Sequence, residues 1–115
     1  MIKMNVKADK SEIINYSYPH APIYVNKAYL SEYPDFRAVS HWHEDIEFLL
    51  AEEGELNYSV NGNKVNVKEG DCIIVNSNNI HFGYSDEKKN VVSLAHCFHR
   101  FYFTIRILAK TVFRL

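Results

Sequence analysis

Glu55-Leu56-Asn57-Tyr58-Ser59-Val60-Asn61-Gly62-Asn63-Lys64-Val65-Asn66-Val67 is the stretch that decides the fold. Leu56, Tyr58 and Val60 alternate with Asn57 and Ser59, and past the Asn-Gly pair Val65 and Val67 alternate with Lys64, Asn66 and Lys68. A period of two belongs to strands, and Asn-Gly tolerates the positive φ of a tight turn, so this is a β-hairpin. Downstream, Glu69-Gly70-Asp71 turns the chain into the short apolar strand Cys72-Ile73-Ile74-Val75. Asn76 to Asn79 then reads as a polar loop, and Ile80-His81-Phe82 opens another strand. Upstream, Ile46, Phe48 and Leu50 alternate with Glu47, Leu49 and Ala51, a strand apolar on both faces and therefore expected between layers. Tyr33-Pro34-Asp35 signals a turn, Phe36 to His43 reads as a strand after it, and Ile23 to Val25 as the first strand of all. Short strands joined by tight turns, with no helical period before residue 90, predict an all-β antiparallel barrel or jelly roll.

Composition bounds the rest. With 115 residues, 47% hydrophobic and 14% aromatic, the chain can bury one core and not two. No apolar run is long enough to cross a bilayer, and the lysines of residues 1 to 10 precede no apolar signal segment, so the expectation is a cytoplasmic protein with no membrane partner. Cys72 and Cys97 show no metal or redox spacing and read as reduced thiols. Net charge is −1, but it is unevenly placed: residues 1 to 87 hold all fourteen acids against seven Lys and Arg, a net of −7, and residues 88 to 115 carry six basic residues and no acid. A body at −7 is a poor tracker of a phosphate backbone. No glycine-rich phosphate loop and no G-x-S-x-G elbow occurs, which removes support for nucleotide hydrolysis and serine acyl transfer.

The chemistry concentrates in His41-Trp42-His43-Glu44-Asp45-Ile46-Glu47 and in His81. On an extended chain positions 41, 43 and 47 share one face, so three ligand-type groups converge there and His81 can supply a fourth. Three imidazoles and a carboxylate suit a divalent transition metal such as zinc, iron, nickel, copper or manganese. The same groups can instead hydrogen-bond one another and line a pocket for a small polar effector, for example a sugar. Arg37, Tyr58, Tyr84 and the side chains near Leu49 and Ala51 are candidate pocket walls, Arg37 and Tyr58 foremost. Trp42 has the opposite parity and is assigned to packing. Asp45 is expected in solvent beside Glu44, and Glu52 to Glu55 as a solvated turn.

These motifs resemble the cupins and, within them, the N-terminal sensing domain of AraC-type bacterial transcription regulators. The first cupin motif, G-x5-H-x-H-x3-4-E-x6-G, is matched by His41, His43, Glu47 and Gly54, with Asp35 in place of the opening glycine. The second, G-x5-P-x-G-x2-H-x3-N, is matched by Gly70 and His81, while Asn76, Asn78 and Ser85 stand where proline, glycine and asparagine would be. Metal-enzyme cupins keep more of that second motif. The resemblance covers roughly residues 20 to 90 and implies a ligand-sensing, dimerising module whose regulator would contact DNA through helix-turn-helix units not found in this sequence. The other reading is a stand-alone metal-dependent cupin enzyme, an oxygenase or isomerase.

The expected organisation is therefore an N-terminal arm at 1–20, a cupin-like sensing domain at 21–95 and a basic aromatic tail at 96–115. Val91 to Ala95 can form a strand, but His96 to Leu115 does not look like its continuation. Phe98, Phe101, Tyr102, Ile105, Leu108, Ala109 and Val112 fit a helical stripe, while Tyr102 to Ile105 also has strand propensity, so a strand or short helix both stay open there. The loss of acids and of family resemblance near Lys89 suggests a truncated, fragmentary or frame-shifted tail. The apolar strand and aromatic tail together suggest a homodimer.

Overall fold

The computed structural model describes residues 4–17, 23–99 and 111–114. Among the described residues, eight strands form two antiparallel sheets: β1 (Ile23–Tyr29), β2 (Ile46–Glu53), β3 (Leu56–Val60), β4 (Asn63–Val67), β5 (Asp71–Val75), β6 (His81–Tyr84), β7 (Val92–Phe98) and β8 (Thr111–Arg114). One sheet runs β1-β7-β2-β5-β8 and the other β4-β3-β6. The hairpin β3–β4 turns at Asn61 and Gly62, both at positive φ. Gly54, φ 82, ends the β2 turn where a Cβ would come within 2.7 Å of the Asn90 carbonyl oxygen. Only glycine fits there without displacing backbone.

The register of the larger sheet sorts side chains into two faces. Glu47, Leu49 and Ala51 of β2 lie opposite Cys97, Ala95 and Ser93 of β7, and these opposite Tyr24, Asn26 and Ala28 of β1. This inner face meets Leu56, Tyr58 and Val60 of β3 and His81 and Gly83 of β6. Leu49, Ala51, Ile73 and Val75 from one sheet and Leu56, Tyr58, Val60 and Val67 from the other form the core, closed by Leu30 and Val91. Gly83 is small for a reason: a Cβ there would approach the Tyr58 ring to 3.1 Å. The jelly-roll architecture thus follows from alternating strands whose apolar parity faces inward from both layers.

Several local expectations change. Phe36 to His43 is not a regular strand. Pro34–Phe36 is a 3-10 turn with Asp35 and Phe36 at φ 57 and 53, and from Arg37 to His41 the chain runs beside β6 through the isolated bridges Arg37↔Tyr84 and His41↔His81. The proline and two left-handed residues break the pleat before it can propagate. β1 extends four residues past Val25. His96 to Phe98 do continue the strand begun at Val92, because β7 is paired on both sides, by β1 and β2. Thr111–Arg114 is a strand paired with β5, so Val112 does not belong to a helix. The helical stripe through Phe101, Tyr102, Ile105, Leu108 and Ala109 lies outside the described residues. No helix among the described residues is long and apolar enough to cross a membrane.

A candidate metal and ligand centre

His41, His43, Glu47 and His81 converge. Their ligand-type atoms all lie within 4.8 Å of one another, and all four residues are buried. They do not arrive on one strand: His41 bridges His81 of β6, Trp42 bridges Ser11 of the N-terminal segment, the chain bends at Glu44 and Asp45, and β2 begins only at Ile46. His81 opens β6, cross-bonded to His41 through reciprocal backbone hydrogen bonds of 2.8 and 3.1 Å.

Each imidazole is oriented by the backbone. Nδ1 of His41 donates to the Val39 carbonyl at 2.7 Å, Nδ1 of His43 to Asp45 at 3.0 Å and Nδ1 of His81 to Asn79 at 2.7 Å. That arrangement places the hydrogen on Nδ1 and turns the Nε2 lone pairs toward the common centre. The Nε2 atoms of His43 and His81 are buried without a hydrogen-bond partner. Glu47 Oε1 stands 3.5 Å from one and 3.7 Å from the other. Two donors bound to one ion at about 2.1 Å are about 3.4 Å apart across a tetrahedral edge. Orphaned lone pairs, donor chemistry and spacing therefore all fit a divalent transition metal held by these four side chains.

Glu47 is the anchor. Its Oε2 accepts a 2.8 Å hydrogen bond from Tyr58 and its Oε1 a 3.4 Å contact from the Cys97 thiol, which ties β3 and β7 to β2. Burial alone would raise its pKa, but His81 and His43 hold the carboxyl well below the usual range. Burial and the Glu47 charge push the Tyr58 hydroxyl and the Cys97 thiol well up, so both stay protonated donors. Burial likewise lowers His41 to about 4, while for His43 burial is outweighed by the Glu47 and Glu12 carboxylates and the shift is upward.

The centre borders a cavity of about 160 Å³ walled by Tyr24, Asn26, Tyr33, Leu49, Tyr58 and Ser93. Arg37, expected at the pocket, is elsewhere: it is exposed and stacks over Phe82 and Tyr84 at 5.0 and 4.8 Å, on the face of β6 away from His81 and Gly83. Tyr84 belongs to that outer cluster and does not line the cavity. Asp45, expected in solvent, is only 3% exposed, because the bend turns it inward to accept a 3.2 Å hydrogen bond from Tyr16. Trp42 packs on the N-terminal segment, its indole donating to the Asp9 carbonyl at 3.0 Å.

Cys97 and Glu12 escaped the sequence reading, as did the cavity walls Tyr24, Asn26, Tyr33 and Ser93. Cys97 was hidden by parity within a strand whose end was misplaced. Glu12, in the stretch read as a loose arm, lines the cavity with Oε1 3.4 Å from His41 Nε2. Its sequence neighbourhood carries no signal beyond the apolar pair Ile13-Ile14.

A family profile described as Cupin domain matches residues 33–97. The chain is a cupin. Because that match runs to Cys97 and β7 is paired throughout, the family pattern does not stop at Lys89. Among solved structures, this cupin is similar to an RmlC-like cupin from Shewanella frigidimarina, TM-score 0.60 at 16% identity over 71% of this chain and 69% of that one. It is also similar to a point mutant of the salicylate 1,2-dioxygenase of Pseudoaminobacter salicylatoxidans, TM-score 0.60 at 25% identity over 70% of this chain and 24% of the enzyme. An uncharacterized HTH-type transcriptional regulator, YdeC of Bacillus subtilis, is 36% identical over 47 residues, which span 41% of this chain and 16% of that regulator's length.

Proposed function

We propose that this cupin domain is the ligand-sensing and dimerisation part of an AraC-type transcription regulator, acting in the cytoplasm on a small polar effector, with sugars as the first class to test. The observation that carries the reading is the buried His41, His43, Glu47 and His81 cluster at the edge of a cavity walled by Tyr24, Tyr33, Tyr58, Asn26 and Ser93. A space of about 150 Å³ accommodates a six-membered ring. The likeness to an HTH-type regulator supports the choice, as does the loss of the second motif's proline and glycine at Asn76 and Asn78. Specific DNA contact would rest with a helix-turn-helix half and not with this acidic body.

The chain's own residues explain how an effector would be held. Backbone carbonyls fix three imidazole planes, Tyr58 and Cys97 fix Glu47, and the cavity wall offers hydroxyl and amide groups that fix ligand orientation. A metal held by the four side chains would supply Lewis acidity and open positions for a ligand oxygen. Calorimetry against a panel of sugars and divalent metals should show binding that weakens in His43→Ala and Glu47→Ala, and unchanged binding in both variants would place the ligand elsewhere.

The orphaned Nε2 atoms favour a second reading, a stand-alone metal-dependent oxygenase or isomerase. Turnover by the iron- or manganese-loaded chain alone, lost in Glu47→Ala, would select it.

A further inference from the structure

Glu12 occupies a place that the cupin motifs do not account for. Its backbone N–H donates to the Trp42 carbonyl at 2.8 Å, and the Trp42 N–H donates to Lys10 at 2.9 Å. The segment is thus stitched to the residue lying between the two site histidines. Ile13 N–H donates to Asn5 at 2.9 Å and Lys7 N–H to Ser11 at 2.8 Å, closing a turn that makes the position of Glu12 reproducible. The carboxylate that results is 13% exposed, lines the cavity, and brings Oε1 to 3.4 Å from His41 Nε2.

That separation equals the spacing of two donors on a shared ion, and it is shorter than the 3.5 and 3.7 Å between Glu47 and its histidines. The His41 nitrogen is a lone pair, since its Nδ1 is committed to Val39. A carboxylate oxygen facing a lone pair at this distance gains no hydrogen bond unless a proton or a cation lies between them. The two unpartnered Nε2 atoms of His43 and His81, buried at 3% and 1% exposure, are an independent sign that the four-residue cluster to which His41 belongs takes a cation.

From this geometry we infer that Glu12 is a fifth donor of the centre, a second carboxylate delivered by the N-terminal segment to the cavity side of a divalent transition metal. This rests on the metal reading of the four-residue cluster. Two carboxylates among three imidazoles balance a divalent charge, so the loaded site is close to neutral and ordering of residues 4–17 is tied to metal occupancy.

The test uses the full chain and cobalt(II) as probe. The wild type should bind cobalt, Glu12→Gln should bind it roughly 10- to 100-fold more weakly, and its visible absorption should differ because the donor set has changed. Cobalt should also increase hydrogen-exchange protection of residues 4–17 in the wild type and not in Glu12→Gln. Glu12→Asp, which keeps the carboxylate, should retain part of both effects and serves if the glutamine variant does not fold. Cobalt affinity, spectrum and protection identical in wild type and Glu12→Gln, with binding still lost in His43→Ala, would overturn the role of Glu12 and leave the four-residue centre standing. Absence of cobalt binding by the wild type would overturn both.

Discussion

Glu47 and Glu12 are the same side chain at one histidine cluster, Glu47 beside His43 and His81 and Glu12 beside His41, and the two regions that carry them hold it in opposite ways. Glu47 sits on a central strand flanked by β5 and β7, with Tyr58 and Cys97 donating to it and two imidazoles beside it, and its carboxyl is held well below the usual range. Glu12 sits on a segment attached through Trp42, and burial raises its carboxyl from 4.5 to about 7 although His43 and His81 pull it down. Burial acts in the same direction on both. What separates them is the close company of His81 and His43, which outweighs burial at Glu47 and not at Glu12.

Removing each carboxylate is the largest way to break the comparison. Glu47→Ala should abolish divalent-metal binding measurably, by more than about 100-fold, and should lower apo stability by about 2–4 kcal/mol, since Tyr58 and Cys97 lose their acceptor inside the core. Glu12→Ala should cost apo stability less than about 1 kcal/mol, because its removal relieves a desolvated carboxyl. Urea denaturation of chelator-treated protein measures both. Equal losses would mean that the N-terminal segment is as integral to the fold as β2.

The contrast also separates what could be read in the sequence from what could not. The β3–β4 hairpin was legible because Asn61-Gly62 and the flanking alternation are local, and the inward parity of Glu47 and Leu49 follows from the same rule. His41 and His43 were identifiable by spacing, but their route to the site was not: Asp35, Phe36 and the bend at Glu44 and Asp45 break the strand that parity assumed. Asp45 was placed in solvent for lack of its partner, Tyr16, which is twenty-nine residues away. Glu12 was illegible for the same reason, since its position is set by bonds to Trp42 and not by any period of its own. The end of β7 was misplaced because a shift in charge was taken for a structural boundary, whereas pairing to β1 and β2 is decided by apolar and backbone complementarity.

Tyr58→Phe sharpens the comparison without removing a charge. It strips Glu47 Oε2 of its 2.8 Å donor and preserves the ring that fills the space beside Gly83. The expected loss is about 1–3 kcal/mol of apo stability, with weaker metal binding because the carboxylate is less well fixed. A loss below about 0.5 kcal/mol would show that the imidazoles and Cys97 position Glu47 without Tyr58.

The pH dependence of the apo protein should divide between the two regions. Glu12, raised from 4.5 to about 7, binds its proton more tightly in the fold, so its contribution is full below about 4.5 and is lost as pH rises through about 7. His41, lowered from 6.5 to about 4, resists protonation in the fold, so stability is lost as pH falls from about 6.5 through about 4. Between about 4.5 and 6.5 the two slopes oppose each other. Glu47, whose folded carboxyl lies well below 4.5, withdraws its contribution only in stronger acid. Glu12→Gln removes one of the opposed slopes, so stability relative to wild type should rise with pH across that window by on the order of 1–2 kcal/mol. A difference that stays constant from pH 4.5 to 7 would mean that Glu12 does not titrate abnormally in the fold.

The smallest expected effect comes from the place where the chain departs from the first cupin motif. Asp35 stands at the opening glycine and adopts φ 57, and Asn78, at the second motif's glycine, adopts φ 65. Both are residue types that tolerate the left-handed region through their short polar side chains, so the substitutions keep the backbone path that glycine would give. Asp35→Gly should relieve the Cβ penalty while increasing the freedom of the unfolded chain, two terms of similar size and opposite sign. The ion pair it removes, Asp35 to Lys88 at 3.5 Å, is exposed on both sides and contributes little. Stability should therefore change by less than about 0.5 kcal/mol, and metal affinity should stay within about twofold, since His41 is held by backbone bonds to His81 and by Val39 rather than by the turn. Asp35→Val, which cannot adopt positive φ cheaply, should cost about 1–2 kcal/mol and displace the chain entering His41. If the glycine variant proves as damaging as the valine one, the turn depends on the aspartate side chain itself, and its departure from the motif is a working part of this cupin rather than a neutral replacement.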